Sequence, residues 1–158
     1  METVHINSPL GITKIVGDQD GIAVISVSDI GTNEVSEVIP EVLKEAVSQL
    51  QEYFDKKRTD FDFKLNPKGT EFQEKVWKAL LEIPYGKTIS YMDQTKKLGD
   101  VKAIRAVASA NGKNPLWIVV PCHRVIGTNG SLTGYAGGLS RKKWLLEHEN
   151  SLTQQSLF

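Results

Sequence analysis

The strongest structural signal in this sequence is residues 90–111, which read SYMDQTKKLGDVKAIRAVASAN. Ser90 is a favoured helix N-cap and Gly99 a favoured helix end, so a first helix is predicted between them. The tight turn at Gly99 and Asp100 leads into a second predicted helix over about 101–111. Two short helices joined by such a turn predict a helix-turn-helix, an arrangement that many proteins use to place a helix against DNA.

The second of these helices is rich in alanine and carries two cations, Lys102 and Arg105. Small side chains let a helix backbone approach another surface closely, and DNA is one such surface. Alanine is also the best helix former, so a tightly packed core helix is the alternative explanation. The composition taken alone favours the core helix.

A helix with a strong start signal precedes this motif. Thr70 and Gln73 have the spacing of a capping box, in which the two side chains bond backbone N–H groups reciprocally. The apolar residues of this helix recur at helical spacing and are expected to be buried: Phe72, Val76, Leu80 and Ile83. Further along, residues 116–120 predict a buried extended segment, and a last helix is predicted over about 140–148.

The first third of the chain predicts a small sheet followed by a helix. Residues 4–6, 12–16 and 22–27 are rich in β-branched side chains and are separated by turn-forming residues, which predicts a three-stranded antiparallel meander. Pro40 opens the helix. The predicted fold class is α+β, with an N-terminal α/β domain over 1–63, a linker over 64–69, a helical, winged-helix-like C-terminal domain over 70–150 and a flexible tail over 151–158.

The composition is that of an ordinary globular chain. Of 158 residues, 40% are apolar and 24% charged, which excludes a fully disordered or collagen-like protein. The longest apolar run, Leu116–Val120, is far shorter than the roughly 20 residues that span a bilayer. Cys122 is the only cysteine, so no internal disulfide forms, and this cysteine with three histidines makes a set too small and too scattered along the chain for a structural zinc site. We therefore expect no metal and no membrane, and a reducing cytoplasm.

The net charge of zero hides two opposite halves. Residues 1–63 hold 5 basic and 12 acidic side chains, whereas residues 64–158 hold 14 basic and 7 acidic ones. A basic half indicates a polyanionic partner, with DNA or RNA first. Electrostatic pairing of two small domains explains the same asymmetry.

The candidate chemistry lies at Cys122 and His123. A thiol is a weak nucleophile at its usual pKa, and an adjacent base that is oriented by a third group corrects this. Neighbouring side chains in an extended segment point apart, so a bridging water is as plausible as direct contact. The candidate carboxylates are Glu149, Glu147 and Asp93. Without further context, a packed core cysteine is the commoner explanation.

Several motifs supply that context, in one order along the chain. They are IPYGKTISY at 83–91, AIRAV at 103–107, NP at 114–115, PCHRVI at 121–126, GYAGGL at 134–139 and WLLEHE at 144–149. Together they resemble the O6-alkylguanine-DNA alkyltransferase family over residues 70–149. The first 63 residues match that family, whose N-terminal domain is ribonuclease H-like, only in general character.

The resemblance implies a role for each matching residue of the active site. Cys122 matches the nucleophile that accepts the alkyl group, and His123 the base that deprotonates it through a water. Glu149 matches the carboxylate that orients the histidine. Asn114 matches a hinge residue between the active-site loop and the recognition helix. Tyr91 matches the tyrosine that meets the phosphate and protonates the leaving base.

The resemblance also implies how DNA is bound. Arg105 matches the arginine that replaces the flipped nucleotide in the duplex. The loop expected to close over the guanine includes Tyr135, Ala136 and Gly137. Many relatives carry serine where Ala136 stands, so a side-chain hydrogen bond to the guanine oxygen is lost, although the backbone N–H remains. The other expected DNA contacts are Lys102, Ala106, Lys113 and Arg124, and the base pocket is expected to include Val125 and Trp117.

The implied function is repair of double-stranded DNA by a monomer without a cofactor, in a single turnover that leaves a thioether. The tail Gln154–Phe158 resembles the short peptide by which bacterial DNA enzymes dock on the replication sliding clamp; a chance match or a tail folded on the domain is the alternative. Two rival functions remain open from the residues. One is a helix-turn-helix protein with an inert cysteine, and the other is a cysteine hydrolase that turns over many times.

Overall fold

The computed structural model describes residues 1–29, 35–130, 132 and 134–150. The chain divides into two compact units, one of residues 1–68 with 115–119 and the other of residues 69–114 with 120–158. None of the helices in the described ranges has the length and apolar character needed to cross a membrane. The predicted tail over 151–158 lies outside the described residues.

The first unit is built on the predicted three-stranded meander. Strands β1 (Glu2–Ser8), β2 (Gly11–Asp18) and β3 (Gly21–Ser28) pair antiparallel in sequence order. Ile15 lies opposite both Val4 and Ile25, and all three side chains are fully buried. A 3-10 turn with Pro40 at its N-cap then leads into helix α1 (Lys44–Phe54), so the prediction of a helix opened by this proline is confirmed.

Part of the segment predicted as a linker, residues 64–69, forms backbone hydrogen bonds with this sheet. The N–H of Ile22 donates to the carbonyl of Lys64 over 2.9 Å, and the N–H of Asn66 donates to the carbonyl of Ile22 over 2.8 Å. Residues 115–119 join the same strand, where the N–H of Ile25 donates to the carbonyl of Pro115 over 2.8 Å. An edge strand such as β3 has unpaired backbone N–H and C=O groups, with which other segments of the chain can form hydrogen bonds. Composition alone does not show which segments do so.

The second unit contains the predicted helix-turn-helix. Its elements are α2 (Glu71–Leu80), β4 (Ile89–Ser90), α3 (Tyr91–Lys97), α4 (Ile104–Gly112), β5 (Val125–Ile126) and α5 (Leu139–His148). The Ser90 hydroxyl accepts from the Asp93 N–H over 3.0 Å, and Gly99, after the end of α3, adopts a φ of 99° that favours glycine. β4 pairs parallel with β5, which brings the start of α3 beside the segment that follows Cys122.

Helix α2 carries the predicted capping box but not the whole predicted stripe. Thr70 and Gln73 cap each other's backbone as expected. Val76, Leu80 and Ile83 are buried, whereas Phe72 is 38% exposed. Trp77 takes the buried position instead, because its indole N–H reaches the carbonyl of Ala110 on α4 over 2.8 Å.

Candidate active site

Two tight backbone turns carry the chain into Cys122. A γ-turn with positive φ is centred on Ile118, where φ is 75° and the Val119 N–H donates to the carbonyl of Trp117 over 2.8 Å. This conformation is strained for a β-branched residue. An inverse γ-turn follows at Pro121, with φ −84° and ψ 61°. The thiol therefore sits at the start of a 3-10 turn rather than in an extended strand.

The thiol of Cys122 is buried and held by one side chain. The Asn114 amide nitrogen donates to the sulfur over 3.3 Å and to the carbonyl of Val120 over 2.8 Å. Burial raises the pKa of Cys122 to about 11, although the Asn114 hydrogen bond and the nearby charge of Lys142 act in the opposite direction. The sulfur is therefore a protonated thiol at neutral pH and needs a base to become a nucleophile.

His123, Glu149 and Arg124 form a buried cluster. Nε2 of His123 lies 2.9 Å from Oε2 of Glu149. Arg124 donates to the same carboxylate twice, from Nε to Oε1 over 2.8 Å and from Nη2 to Oε2 over 3.0 Å. Of the three sequence candidates for the carboxylate partner, Glu149 is thus the one that contacts His123.

The charges in this cluster fix the tautomer of His123. Burial raises the pKa of Glu149, but the hydrogen bonds and charges of His123 and Arg124 outweigh burial and hold this pKa well below its usual value. An ionised carboxylate only accepts hydrogen bonds, so Nε2 of His123 carries the proton. Burial lowers the pKa of His123, only partly opposed by Glu149, so the ring is neutral and Nδ1 is an acceptor. Nδ1 is buried and has no hydrogen-bond partner among the described residues.

Arg124 does not match its predicted role as a DNA contact. Its side chain is 7% exposed, and beyond its two bonds to Glu149 it donates from Nη1 to the carbonyl of Ile83 over 2.7 Å. A buried guanidinium that already donates three hydrogen bonds within the protein is not available to contact a phosphate. The sequence concealed this because arginine is a surface residue in most contexts.

A small cavity of about 50 Å³ opens beside Cys122. Its lining residues come from α3, α4, the 3-10 turn that begins at Cys122 and the loop before α5: Tyr91, Ala108, Asn111, Gly112, Cys122, Gly134 and Tyr135. The volume is enough for water. The Tyr91 hydroxyl donates to the Gly134 carbonyl over 3.3 Å, which spans the two sides of the cavity.

The other predicted pocket residues lie elsewhere. Ala136 is exposed and Gly137 buried, and neither is among the lining residues of this cavity. Val125 is buried in β5, where its carbonyl accepts from Nζ of Lys142 over 2.7 Å. Trp117 is half-buried in the first unit, where its N–H donates to the carbonyl of Ile25 over 3.0 Å, and it is not among the lining residues of this cavity.

The predicted DNA contacts on α4 and at its two ends are all accessible. Lys102, Arg105, Ala106 and Lys113 are exposed. Arg105 and Tyr91 line an open depression of about 300 Å³ together with Ile104 and Ala108. The exposed face of α4 therefore consists of small side chains and Arg105, although the composition taken alone favours a tightly packed core helix.

Lys142 is a site residue that the sequence did not reveal. It is fully buried on α5, with Nζ 2.7 Å from the carbonyl oxygen of Val125, 3.4 Å from that of Gly134 and 5.7 Å from the centre of the Tyr91 ring. Burial lowers its pKa to about 8. The neighbouring Arg141 and Lys143 make this stretch look like a solvated helix face, so no sequence signal marks Lys142.

A second unforeseen feature is a buried pair of amides between the two helices of the helix-turn-helix. Gln94 on α3 and Asn111 on α4 exchange hydrogen bonds of 2.9 and 2.8 Å. Asn111 also lines the cavity beside Cys122. Among the residues that the structure describes, no cluster of three or more histidine, cysteine or acidic side chains is suited to hold a metal ion.

Two family models together match nearly the whole chain. Residues 71–151 match the model described as 6-O-methylguanine DNA methyltransferase, DNA binding domain. Residues 3–67 match the model described as 6-O-methylguanine DNA methyltransferase, ribonuclease-like domain. The second match extends the similarity to the half that the sequence motifs left uncovered.

Whole proteins show the same similarity. A methylated-DNA–protein-cysteine methyltransferase of Methanosarcina acetivorans is 46% identical over 151 residues, covering 91% of this chain and 95% of the relative. A protein of the same name from Mycobacterium leprae is 46% identical, covering 97% and 96%. A crystal structure of Mycobacterium tuberculosis OGT in complex with DNA is similar with a TM-score of 0.85 and 43% identity, covering 96% of this chain and 94% of that one.

Proposed function

The chain belongs to the 6-O-methylguanine DNA methyltransferase family, and we propose that His123 and Glu149 activate its acceptor thiol. Its activity is DNA repair by direct transfer of the alkyl group of O6-alkylguanine to a cysteine. Cys122 is the acceptor, since the sequence contains no other cysteine. His123 is assigned as the base because its Nδ1 is buried and is an acceptor. Nδ1 is an acceptor because Nε2 donates a hydrogen bond to Glu149, which is paired with Arg124.

The proposed transfer begins with removal of the thiol proton. His123 accepts it at Nδ1 through a water, and the imidazolium that forms is stabilised by Glu149. The sulfur then attacks the alkyl carbon as the bond from that carbon to O6 breaks, and the bonding electrons leave with the guanine. The proposed donor of a proton to the leaving base is Tyr91. The products are an S-alkylcysteine and an unmodified guanine.

The stoichiometry follows from the product. A thioether has no carbonyl for water to attack, so the alkyl group stays on Cys122 and each molecule acts once. This distinguishes the reaction from that of a cysteine hydrolase, whose acyl thioester is hydrolysed to restore the enzyme.

The partner is DNA, and we propose that α4 enters its minor groove. The exposed alanines allow close approach, and Arg105 fills the gap left by the flipped nucleotide, whose unstacking costs a few kcal/mol. Lys102 and Lys113 contact phosphates, which position the protein without reading sequence. The loop with Tyr135, Ala136 and Gly137 closes over the base, and the Ala136 N–H serves in place of the missing serine hydroxyl.

The test is intact-mass measurement after incubation with a duplex that contains O6-methylguanine. The protein should gain the mass of one methyl group, located on Cys122 by peptide mapping, and gain no more with excess duplex. Cys122→Ser is the matched control, which should still bind DNA. An unchanged mass in a folded protein with a reactive thiol would refute the assignment.

We further propose that the chain is a monomer in a reducing cytoplasm, where the acceptor thiol remains free. The tail Gln154–Phe158, outside the described residues, follows the matched domain and is proposed to dock on the sliding clamp. Calorimetry with purified clamp should show binding by the full chain and none after deletion of residues 154–158. Equal affinity of the two forms would exclude this contact.

A further inference from the structure

The geometry of the buried cluster points to a positioning role for Arg124, which rests on the proposed function of His123 as the base. We propose that Arg124 sets the pH range in which His123 works, because it makes the cluster electrically neutral when the imidazole is uncharged. Arg124 touches neither the substrate nor the reacting sulfur in this role and acts through Glu149.

The arrangement of hydrogen bonds couples Arg124 to His123 through one carboxylate. Oε2 of Glu149 is shared, with Nη2 of Arg124 at 3.0 Å and Nε2 of His123 at 2.9 Å. Oε1 accepts from Nε of Arg124 over 2.8 Å. The bond from Nη1 to the carbonyl of Ile83, 2.7 Å, fixes the plane of the guanidinium. A planar fork of this kind holds a carboxylate in one orientation.

Charge counting gives the direction of the effect. With Arg124 positive, Glu149 negative and His123 neutral, the cluster carries no net charge. Protonation of the imidazole would leave a net positive charge in the interior, which is unfavourable. Without the guanidinium, the same resting state would carry a net negative charge, and the His123–Glu149 pair would take up a proton. His123 would then be protonated, and unable to accept the thiol proton, at a pH where it is neutral in the natural protein.

The other charged and titratable groups around His123 do not replace Arg124. Lys142, on α5, acts on the imidazole in the same direction as Arg124 but more weakly. Tyr85 lies under the guanidinium, with its ring centre 5.8 Å away, and burial raises the pKa of its hydroxyl, so it stays neutral. The neighbouring Cys122 is a protonated thiol in the resting state. Arg124 is thus the cation that balances Glu149.

The experiment measures the single-turnover rate of methyl transfer between pH 5 and 9 with saturating duplex. Arg124→Met keeps most of the side-chain volume and removes the charge. The acid side of its pH–rate profile should move upward by at least about one pH unit, the size expected for loss of a nearby charge, so the pH of half-maximal rate on that side should rise by the same amount. Lys143→Met, which removes an exposed cation on α5, should leave the profile unchanged.

Arg124→Lys separates charge from geometry. It retains the cation but loses the fork, so its rate should fall at every pH while the acid side of its profile stays near that of the natural protein. Equal profiles for Arg124→Met and the natural protein, differing only in amplitude, would overturn the proposal. So would a shift in Arg124→Lys as large as in Arg124→Met.

A second measurement applies even if Arg124→Met does not fold. Nuclear magnetic resonance titration of the His123 ring in the natural protein should show a neutral Nε2–H tautomer down to the onset of acid unfolding. Protonation of this ring at or above pH 6.5 would overturn the proposal. Methyl gain by Cys122 in the same sample tests the proposed function separately, because it does not depend on where the histidine titrates.

Discussion

The side-chain amide of Asn114 donates a hydrogen bond to the sulfur of Cys122 over 3.3 Å. Asn114 lies two residues beyond the end of α4, the helix proposed to enter DNA. One side chain therefore connects that helix to the nucleophile. The same amide holds the Val120 carbonyl, so it also fixes the turn that presents the thiol.

Replacement of Asn114 by alanine is expected to slow transfer. The variant loses a donor to the developing thiolate, and a hydrogen bond to a charged group contributes about 1.5–3 kcal/mol. The single-turnover rate should therefore fall about 10- to 100-fold. DNA affinity, measured by fluorescence anisotropy, should change little, and the surface variant Asn129→Ala should transfer at the natural rate. A natural rate in Asn114→Ala would show that the contact does not assist the sulfur.

Replacement of Arg105 by alanine is expected to impair base flipping more than binding. The fluorescence of a base analogue beside the lesion should rise less on binding, because no side chain fills the vacated stack. Lys113→Ala is the comparison, and it should weaken binding to all sequences alike and reduce the salt slope by about one. If both variants lost only affinity, Arg105 would be a phosphate contact.

The free energy of unfolding is expected to fall as the pH drops, in two stages. Below about pH 6.5 the unfolded chain protonates His123, while the lowered pKa of the folded state keeps the ring neutral. Below about pH 4.5 the unfolded chain also protonates Glu149, whereas the folded chain keeps it ionised because its pKa is depressed there. The free energy of unfolding therefore continues to fall until the pH reaches the pKa of Glu149 in the folded state. Urea unfolding at each pH measures both stages.

Glu149→Gln is the variant that isolates the carboxylate. It leaves Arg124 buried without its anion, which should cost about 3–5 kcal/mol at pH 7. The lower stage of the pH dependence should also become shallower than in the natural protein. An unchanged slope below pH 4.5 would assign the acid sensitivity to other carboxylates.

The amide pair between α3 and α4 is expected to show strong coupling. Gln94→Leu or Asn111→Leu alone leaves the partner amide buried without its bonds, at a cost of about 1–3 kcal/mol each. The double variant should cost less than the sum of the two single variants, because both amides are then absent. A double-mutant cycle by urea unfolding measures this coupling, and simple additivity would contradict it.

Local patterns were sufficient for the elements of the fold. The β-branched runs, the N-caps at Thr70 and Ser90, and the turn after α3 act over a few residues each, so they specify the meander and the helix-turn-helix without distant contacts. The motif around Cys122 and the matching segments elsewhere also predict the chemistry, through their resemblance to a known family.

Contacts between residues far apart in the chain cannot be predicted from such local patterns. Arg124 and Lys142 resemble surface cations in the sequence, and both are buried because carbonyls or a carboxylate from other segments meet their donors. Trp117 stands close to Cys122 in the chain but belongs to the other unit, since its backbone pairs with β3. Burial and charge pairing depend on packing in three dimensions, which a single sequence does not encode in any short-range pattern.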